Sequence, residues 1–206
     1  MNTLLHVIAT PRGDLSSTLK ISHEVLNQFK KQNPHGKIDT LDLFAETLPE
    51  MTLAATNGKY RLLSGKELDD ETRPAWVPIE AHIKRFMAAD VVVISTPMWN
   101  FGMPYVLKHY IDVIAQPRYL FRYTENGPEG LAKGKKVIVV TSRGGDYREG
   151  PAKAMDQLEP GLRTFLGFIG IPDPVFINAQ PMAAAPEVVT QKIAEAKQQA
   201  AGVRFA

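Results

Sequence analysis

Two short loops carry the residue types best suited to holding a ligand. One reads Pro97-Met98-Trp99-Asn100-Phe101-Gly102-Met103-Pro104, and the other Thr141-Ser142-Arg143-Gly144-Gly145-Asp146-Tyr147. An aromatic-amide turn facing a Gly-Gly turn suits a flat, hydrogen-bonding ring such as a flavin better than it suits a sugar or a metal. A third stretch, Thr10 followed by Ser16-Ser17-Thr18, clusters hydroxyls where a helix is due to begin. Free backbone N–H groups and the positive dipole end of a helix make such a place a cradle for one terminal monophosphate. No Gly-x-x-x-x-Gly-Lys-Ser/Thr string occurs, and no Gly-x-Gly-x-x-Gly follows the first apolar run, so the cradle is neither a Walker loop nor a dinucleotide turn. Taken singly, each loop has a plainer reading. Ser16 or Ser17 can be a helix cap, Trp99 and Phe101 core aromatics, Asn100 a turn residue, and Gly144-Gly145 a loop without a ligand.

The elements around the loops favour a shared role. Leu4 to Ala9, Val91-Val92-Val93-Ile94-Ser95 and Val137-Ile138-Val139-Val140 are nearly unbroken apolar runs, the pattern of parallel strands covered on both faces. Each loop follows one of these runs, so all three converge on the carboxyl-terminal rim of one sheet, where ligands of open α/β sheets bind. Between the strands, helices are predicted over Ser17–Gln32 (apolar side Leu19, Val25, Leu26, Phe29), Pro78–Ala88, Tyr105–Ala115, from Gly150-Pro151 through Phe165 and Phe168, and over Pro186–Ala201. Lys37 to Phe44 reads as a polar edge strand and Val175-Phe176-Ile177 as the last strand. Residues 45–78 are the least legible stretch, with a short helix predicted near Lys66 to Thr72 and a flap as the expected role. Arg118 to Leu131 alternates aromatic and polar residues around Asn126-Gly127, the mark of a hairpin-like excursion that covers a site. The sum is one α/β domain over residues 1–206, a flavodoxin-like, doubly wound, five-stranded parallel sheet of order 2-1-3-4-5 with helices on both faces.

Composition narrows the function classes. The 206 residues are 44% hydrophobic and 22% charged with a net charge of +2, which gives no reason to invoke nucleic acid or a membrane surface. Lys30-Lys31 and Lys135-Lys136 read as solvated faces. The absence of cysteine removes thiolate nucleophiles and Cys-ligated metals, so a redox role needs a bound organic cofactor. The apolar start is too short for a signal or membrane segment, and the cytoplasm is the default location. No zincin or Gly-x-Ser-x-Gly string occurs. His6, His35, His82 and His109 are scattered and read as surface or packed residues, and Lys108/Asp112 reads as a surface ion pair one helical turn apart. A phospho-receiver shares this fold but needs acidic residues where Thr10-Pro11 and Ser95-Thr96 stand. No metal site is expected.

In order along the chain, Thr10-Pro11-Arg12 with Ser16-Ser17-Thr18, Pro97 to Phe101, Phe121-Arg122-Tyr123-Thr124-Glu125-Asn126-Gly127-Pro128-Glu129-Gly130-Leu131, Thr141 to Gly145, and Phe165-Leu166-Gly167-Phe168-Ile169-Gly170 resemble the FMN-dependent NADH-azoreductase family. The resemblance runs from residue 4 to about residue 178. It implies a flavodoxin-like homodimer with FMN near the subunit interface, which takes electrons from NADH or NADPH and reduces azo dyes or quinones by a two-electron ping-pong mechanism. Carried over by position, Thr10, Ser16, Ser17 and Thr18 hold the phosphate, Pro97, Met98, Trp99, Asn100 and Phe101 line one edge of the isoalloxazine, and Ser142, Arg143, Gly144 and Gly145 line the other. Phe121, Tyr123 and Phe165 are expected in the substrate pocket. No protein acid or base is obligatory, because the flavin carries the hydride at N5. The family often has Ser at position 10 and Tyr at position 99, where this chain has Thr and Trp. Two other classes stay open: a flavodoxin-type electron carrier acting with a protein partner, which the small positive charge disfavours, and a flavin-free regulatory protein on the same fold.

Overall fold

The computed structural model describes residues 2–205. Its strands are β1 (Thr3–Ile8), β2 (Lys37–Asp42), β3 (Val91–Pro97), β4 (Phe121–Thr124), β5 (Gly127–Gly130), β6 (Lys136–Ser142) and β7 (Val175–Ala179). Its helices are α1 (Ser17–Gln32), α2 (Leu53–Leu63), α3 (Arg73–Ala88), α4 (Tyr105–Ile114), α5 (Leu158–Phe168) and α6 (Pro186–Ala201). Five strands form an all-parallel sheet of order β2-β1-β3-β6-β7, and β4 pairs with β5 as a separate antiparallel hairpin. The two hairpin strands take places four and five in the count, so the last two sheet strands are β6 and β7. The polar strand β2 lies at one edge, as its sequence requires.

Period-two alternation in the central strands feeds two apolar layers. Leu4, Val91, Val93, Ile138 and Val140 point to the side of α1 and α6, where Ile21, Val25, Phe29, Ala196 and Ala200 meet them. Leu5, Val7, Val92, Ile94, Val137 and Val139 point to the other side, against α3, α4 and α5. Each Leu, Ile, Val or Phe buried this way contributes about 1.5–3 kcal/mol. The three loops that follow β1, β3 and β6 share one rim, because the strands run parallel and in register from Leu4↔Val91 and Val91↔Lys136 upward.

The structure departs from the sequence expectations in four places. The stretch 45–78 contains α2, not a helix at Lys66–Thr72. There, Asp69 and Thr72 exchange bonds, the Asp69 N–H donating to Thr72 Oγ1 (3.1 Å) and the Thr72 N–H to Asp69 Oδ1 (3.0 Å), which makes a turn leading into α3. Helix α3 starts at Arg73, five residues before Pro78, with another proline, Pro74, in its first turn, where a missing N–H costs nothing. The segment 150–168 is two pieces, a 3-10 turn at Pro151–Met155 and then α5, because the Asp156 carboxylate accepts from the N–H groups of Leu158 (2.9 Å) and Glu159 (3.2 Å) and starts a new helix. Finally, Lys135 does not lie on a solvated face. Its Nζ donates to the carbonyls of Met87 (2.7 Å) and Ala89 (2.6 Å) and closes the carboxyl end of α3.

Candidate functional site

The hydroxyl loop leaves β1 at Thr10, passes through a 3-10 turn at Gly13–Leu15 and enters α1. Ser16 caps that helix, its Oγ accepting from the Leu19 N–H at 3.3 Å, as the plainer reading of the serine cluster requires. The cap does not use up the donors. The N–H groups of Ser17 and Thr18 have no partner among the described residues and face out of the helix end. Thr10, Ser16 and Thr18 are buried and Ser17 half-buried. Thr18 Oγ1 lies 2.7 Å from Ser142 Oγ, which links the helix start to the loop after β6.

The loop after β3 is a two-residue reversal. Trp99 and Gly102 exchange N–H···O bonds of 2.9 Å in both directions, and Asn100 (φ 46°) and Phe101 (φ 68°) between them both lie in the left-handed region. Such backbone in a Phe is strained by about 1–3 kcal/mol and persists only where surrounding contacts enforce it. Here they do: the Met98 N–H donates to the Ser142 carbonyl (2.9 Å), and the Gln157 N–H to the Phe101 carbonyl (2.9 Å). The N–H groups of Asn100 and Phe101 have no partner among the described residues, and both residues are exposed. Phe44, at the end of the segment after β2, packs edge-on against both Trp99 and Tyr105 with ring centroids 6.0 Å apart in each case. Sequence reading missed the role of Phe44, which it placed at the end of the polar edge strand, whereas that strand stops at Asp42.

The loop after β6 divides its labour. Gly144 and Gly145 are exposed, and their N–H groups have no partner among the described residues. A Cβ on Gly145 would stand 3.3 Å from the Tyr147 ring, so the bare backbone leaves the surface flat. Arg143 does something else. Its side chain is buried, with the guanidinium on Asp156 (2.7 Å) and Glu159 (3.2 Å) and Nε on Thr141 Oγ1 (3.2 Å). Arg143 therefore enters the site through its backbone, while its side chain fixes α5. Burial works against the charge of Glu159, but hydrogen bonds from Arg163 and Asn178 and the charges of Arg163 and Arg143 hold its carboxyl below the usual range.

The three residues expected in the substrate pocket do not join the rim within one chain. Helix α4 runs back from the rim, so the hairpin that follows is attached at the amino-terminal end of β6. The Leu131 N–H bonds Leu120, that of Ala132 bonds Ile169, and β6 starts four residues later. Gly130 lies so close to Gly170 that a Cβ would fall 2.1 Å from the Gly170 nitrogen. Phe121 is buried, with its ring 4.6 Å from Phe168 and 5.8 Å from Tyr123, and so anchors the hairpin. Tyr123 is 66% exposed, and Phe165 packs half-buried against the main core.

The sequence model of the family described as a flavodoxin-like fold matches residues 2–203. An FMN-dependent NADH:quinone oxidoreductase of Rhizobium meliloti is 39% identical over 197 residues, 94% of this chain and 93% of that protein. One from Ralstonia nicotianae is 36% identical over 190 residues, 92% and 91% of the two chains. The chain belongs to this flavodoxin-like family. Among solved structures, an azoreductase from Bacillus anthracis str. Sterne superposes with a TM-score of 0.86 at 29% identity, covering 98% of the flavodoxin-like chain and 100% of that one. An FMN-dependent NADH-azoreductase from Bacillus anthracis str. Ames Ancestor, solved in complex with FMN, gives 0.84 at 27% identity, covering 98% and 99%.

The flavodoxin-like rim fits FMN on its own chemistry. The unpartnered N–H groups of Ser17 and Thr18, beside the Ser16 and Thr10 hydroxyls, suit a phosphate. Those of Asn100, Phe101, Gly144 and Gly145 are exposed and unpartnered on the loops after two adjacent strands, a donor set that suits the acceptors on the edge of a flat ring. Among the described residues no cluster of His, Asp and Glu has the make-up of a metal site, and no helix is long and apolar enough to cross a membrane.

Proposed function

We propose that this chain is a flavoenzyme, an FMN-dependent NADH oxidoreductase that reduces quinones and azo compounds by two-electron, ping-pong turnover. The observation that carries the reading is the convergence of unpartnered backbone N–H groups from three loops, after β1, β3 and β6, on one rim. Flavin-free use of the fold gives no reason for three separate loops to leave their donors unpaired on one side. When bound, FMN supplies the two-electron chemistry between NADH and the acceptor. The protein supplies position. The Ser17 and Thr18 N–H groups and the Ser16 and Thr10 hydroxyls hold the phosphate. The Asn100 and Phe101 amides donate along one edge of the ring, and the Gly144 and Gly145 amides stabilise negative charge along the other. Met98 and Trp99 wall the groove, with Phe44 behind Trp99. Because one groove serves donor and acceptor, the two occupy it in turn. A second donor, NADPH, fits the same reading.

The same chemistry points to a homodimer. Leu53 (77% exposed), Tyr60, Leu63 and Tyr105 leave an apolar stretch on α2 and α4 beside Trp99 and Phe101, more than a lone soluble chain leaves open without a use. The exposed Tyr123 at the far end of the molecule then reaches a groove belonging to a second copy. The enzyme works in the cytoplasm as one flavodoxin-like domain with small aromatic acceptors.

The absorption spectrum of the purified protein, before and after anaerobic NADH, tests the assignment. Yellow protein that bleaches with NADH and recovers its colour with a quinone is expected. A colourless protein that stays colourless with added FMN overturns it, and one that consumes NADH only with a partner protein is an electron carrier.

A further inference from the structure

A polar chain crosses the otherwise apolar layer between α1 and the sheet, and the phosphate cradle itself does not account for it. His6 on β1, Ser95 on β3 and Ser22 on α1 are all 2% exposed or less. His6 Nε2 lies 2.7 Å from Ser95 Oγ, Ser95 Oγ lies 2.6 Å from Ser22 Oγ, and Ser22 Oγ donates to the Thr18 carbonyl at 2.9 Å. Counting protons fixes every direction. The one proton of Ser22 goes to Thr18, so the Ser95 hydroxyl must donate to Ser22. Ser95 can then only accept from His6, whose Nε2 carries the hydrogen. The chain runs His6 N–H to Ser95 to Ser22 to the first turn of α1, and Thr18 continues it through its own hydroxyl to Ser142.

The rest of that layer is Leu4, Ile21, Val25, Phe29, Val91 and Val93, which needs no hydroxyls to pack. Apolar contact sets how close a helix lies to a sheet but leaves it free to slide along its axis. Directional bonds fix the axial position. Ser22 lies one turn below Thr18, Ser95 is level with Ile8 at the upper end of β1 and His6 is level with Val93, so the chain ties the middle and upper part of the layer to the helix start, whose axial position sets the height of the Ser17 and Thr18 N–H groups. We propose that His6, Ser95 and Ser22 are positioning residues for the FMN phosphate: they pin the start of α1 to β1 and β3 at the height at which its first-turn donors meet the phosphate. The inference rests on the flavin reading above and adds residues that no loop motif contains.

Flavin binding by fluorescence quenching, with FMN and riboflavin titrated in parallel, tests the proposal, because only FMN carries the phosphate. Ser22→Ala favours the helix and Ser95→Ala removes one hydroxyl, and the thermal transition of each variant reports its folding. Both variants are expected to weaken FMN at least tenfold while riboflavin changes less than twofold. His6→Gln, whose side-chain N–H can still donate to Ser95, is expected to keep the FMN preference, and His6→Leu to lose it. Folded Ser22→Ala protein that keeps the wild-type preference for FMN, or that weakens both flavins alike, overturns the relay while leaving the flavin site standing. Wild-type protein that binds riboflavin as tightly as FMN overturns the phosphate cradle and the positioning role while leaving a flavin site, and wild-type protein that binds neither overturns the flavin reading and the positioning role together.

Discussion

Acidification should destabilise this protein chiefly through one buried imidazole before the carboxylates titrate. His6 lies under the start of α1, and burial, with a smaller push from the charge of His23, lowers its pKa from the ordinary 6.5 to about 4. Between those values the unfolded chain binds a proton that the folded chain refuses, so stability is fully present above pH 6.5 and falls as the pH drops toward 4. A difference of that size is worth about 3 kcal/mol when the titration is complete, and about 2 kcal/mol of it is lost between pH 7 and pH 5. For a urea slope of about 2 kcal/mol per molar, the midpoint of the flavin-free protein falls by about 1 M over that range. His82, its pKa lowered mainly by burial, acts in the same direction. The measurement is therefore a difference: urea midpoints of wild type and His6→Gln, at pH 7 and pH 5, by far-UV circular dichroism. The variant should lose about 2 kcal/mol less than wild type on acidification. Parallel losses in the two proteins would refute the reasoning, because they would mean that His6 accepts its proton without leaving the folded state.

Thr10→Ala combined with Ser16→Ala should weaken FMN by about 2–4 kcal/mol, two charge-assisted hydrogen bonds partly replaced by water, measured by fluorescence titration. Gly58→Ala should destabilise the fold by about 1–3 kcal/mol or more, since a Cβ there falls 2.0 Å from Trp76 Nε1 and displaces the ring that donates to Ala55; the thermal midpoint reads it. Light scattering at micromolar concentration should give twice the 22.8 kDa chain, and a clean monomer that still turns over NADH would remove the shared-site picture. Double-reciprocal plots against NADH at several quinone concentrations should be parallel, with Tyr123→Ala, at the residue placed over the second copy's groove, changing acceptor KM and turnover more than FMN affinity; intersecting lines would require a second site.

The parts of the fold that were legible are those whose local signals agree with their packing. Helix α1 has the bounds its serines and Asn33-Pro34 announce, and β3 and β6 are apolar on both faces because helices cover both. Helix α2 was not legible because its own residues, Thr56, Asn57 and Gly58 among them, are poor helix formers; the Trp76 ring from α3 holds it, through contact with Gly58 and a bond to the Ala55 carbonyl. Pro78 hid the first turn of α3, since sequence reads a proline as a boundary while the structure places it in the second turn, with Pro74 at the actual start. At the site, the loops were visible as strings, but what braces them was not. His6, Ser22 and Ser95 show only as polar interruptions in apolar patterns, and the partners of Arg143 lie 13 and 16 residues away on another element.

The bonds around the two rim loops close into a ring. Met98 holds Ser142, the neighbouring Arg143 holds Asp156, and Gln157, next to Asp156, holds Phe101, which returns to Met98 through the turn. A closed ring of this kind has no free end, so neither the turn after β3 nor the base of the loop after β6 can swing without breaking a bond elsewhere in it. The spacing of the turn after β3 and the base of the loop after β6 is therefore a property of the folded chain and not of what it holds. Flavin entering it pays little ordering entropy, and one flavin can be exchanged for another without refolding. Hydrogen exchange at Met98 and Gln157 would then slow or quicken together, as parts of one frame.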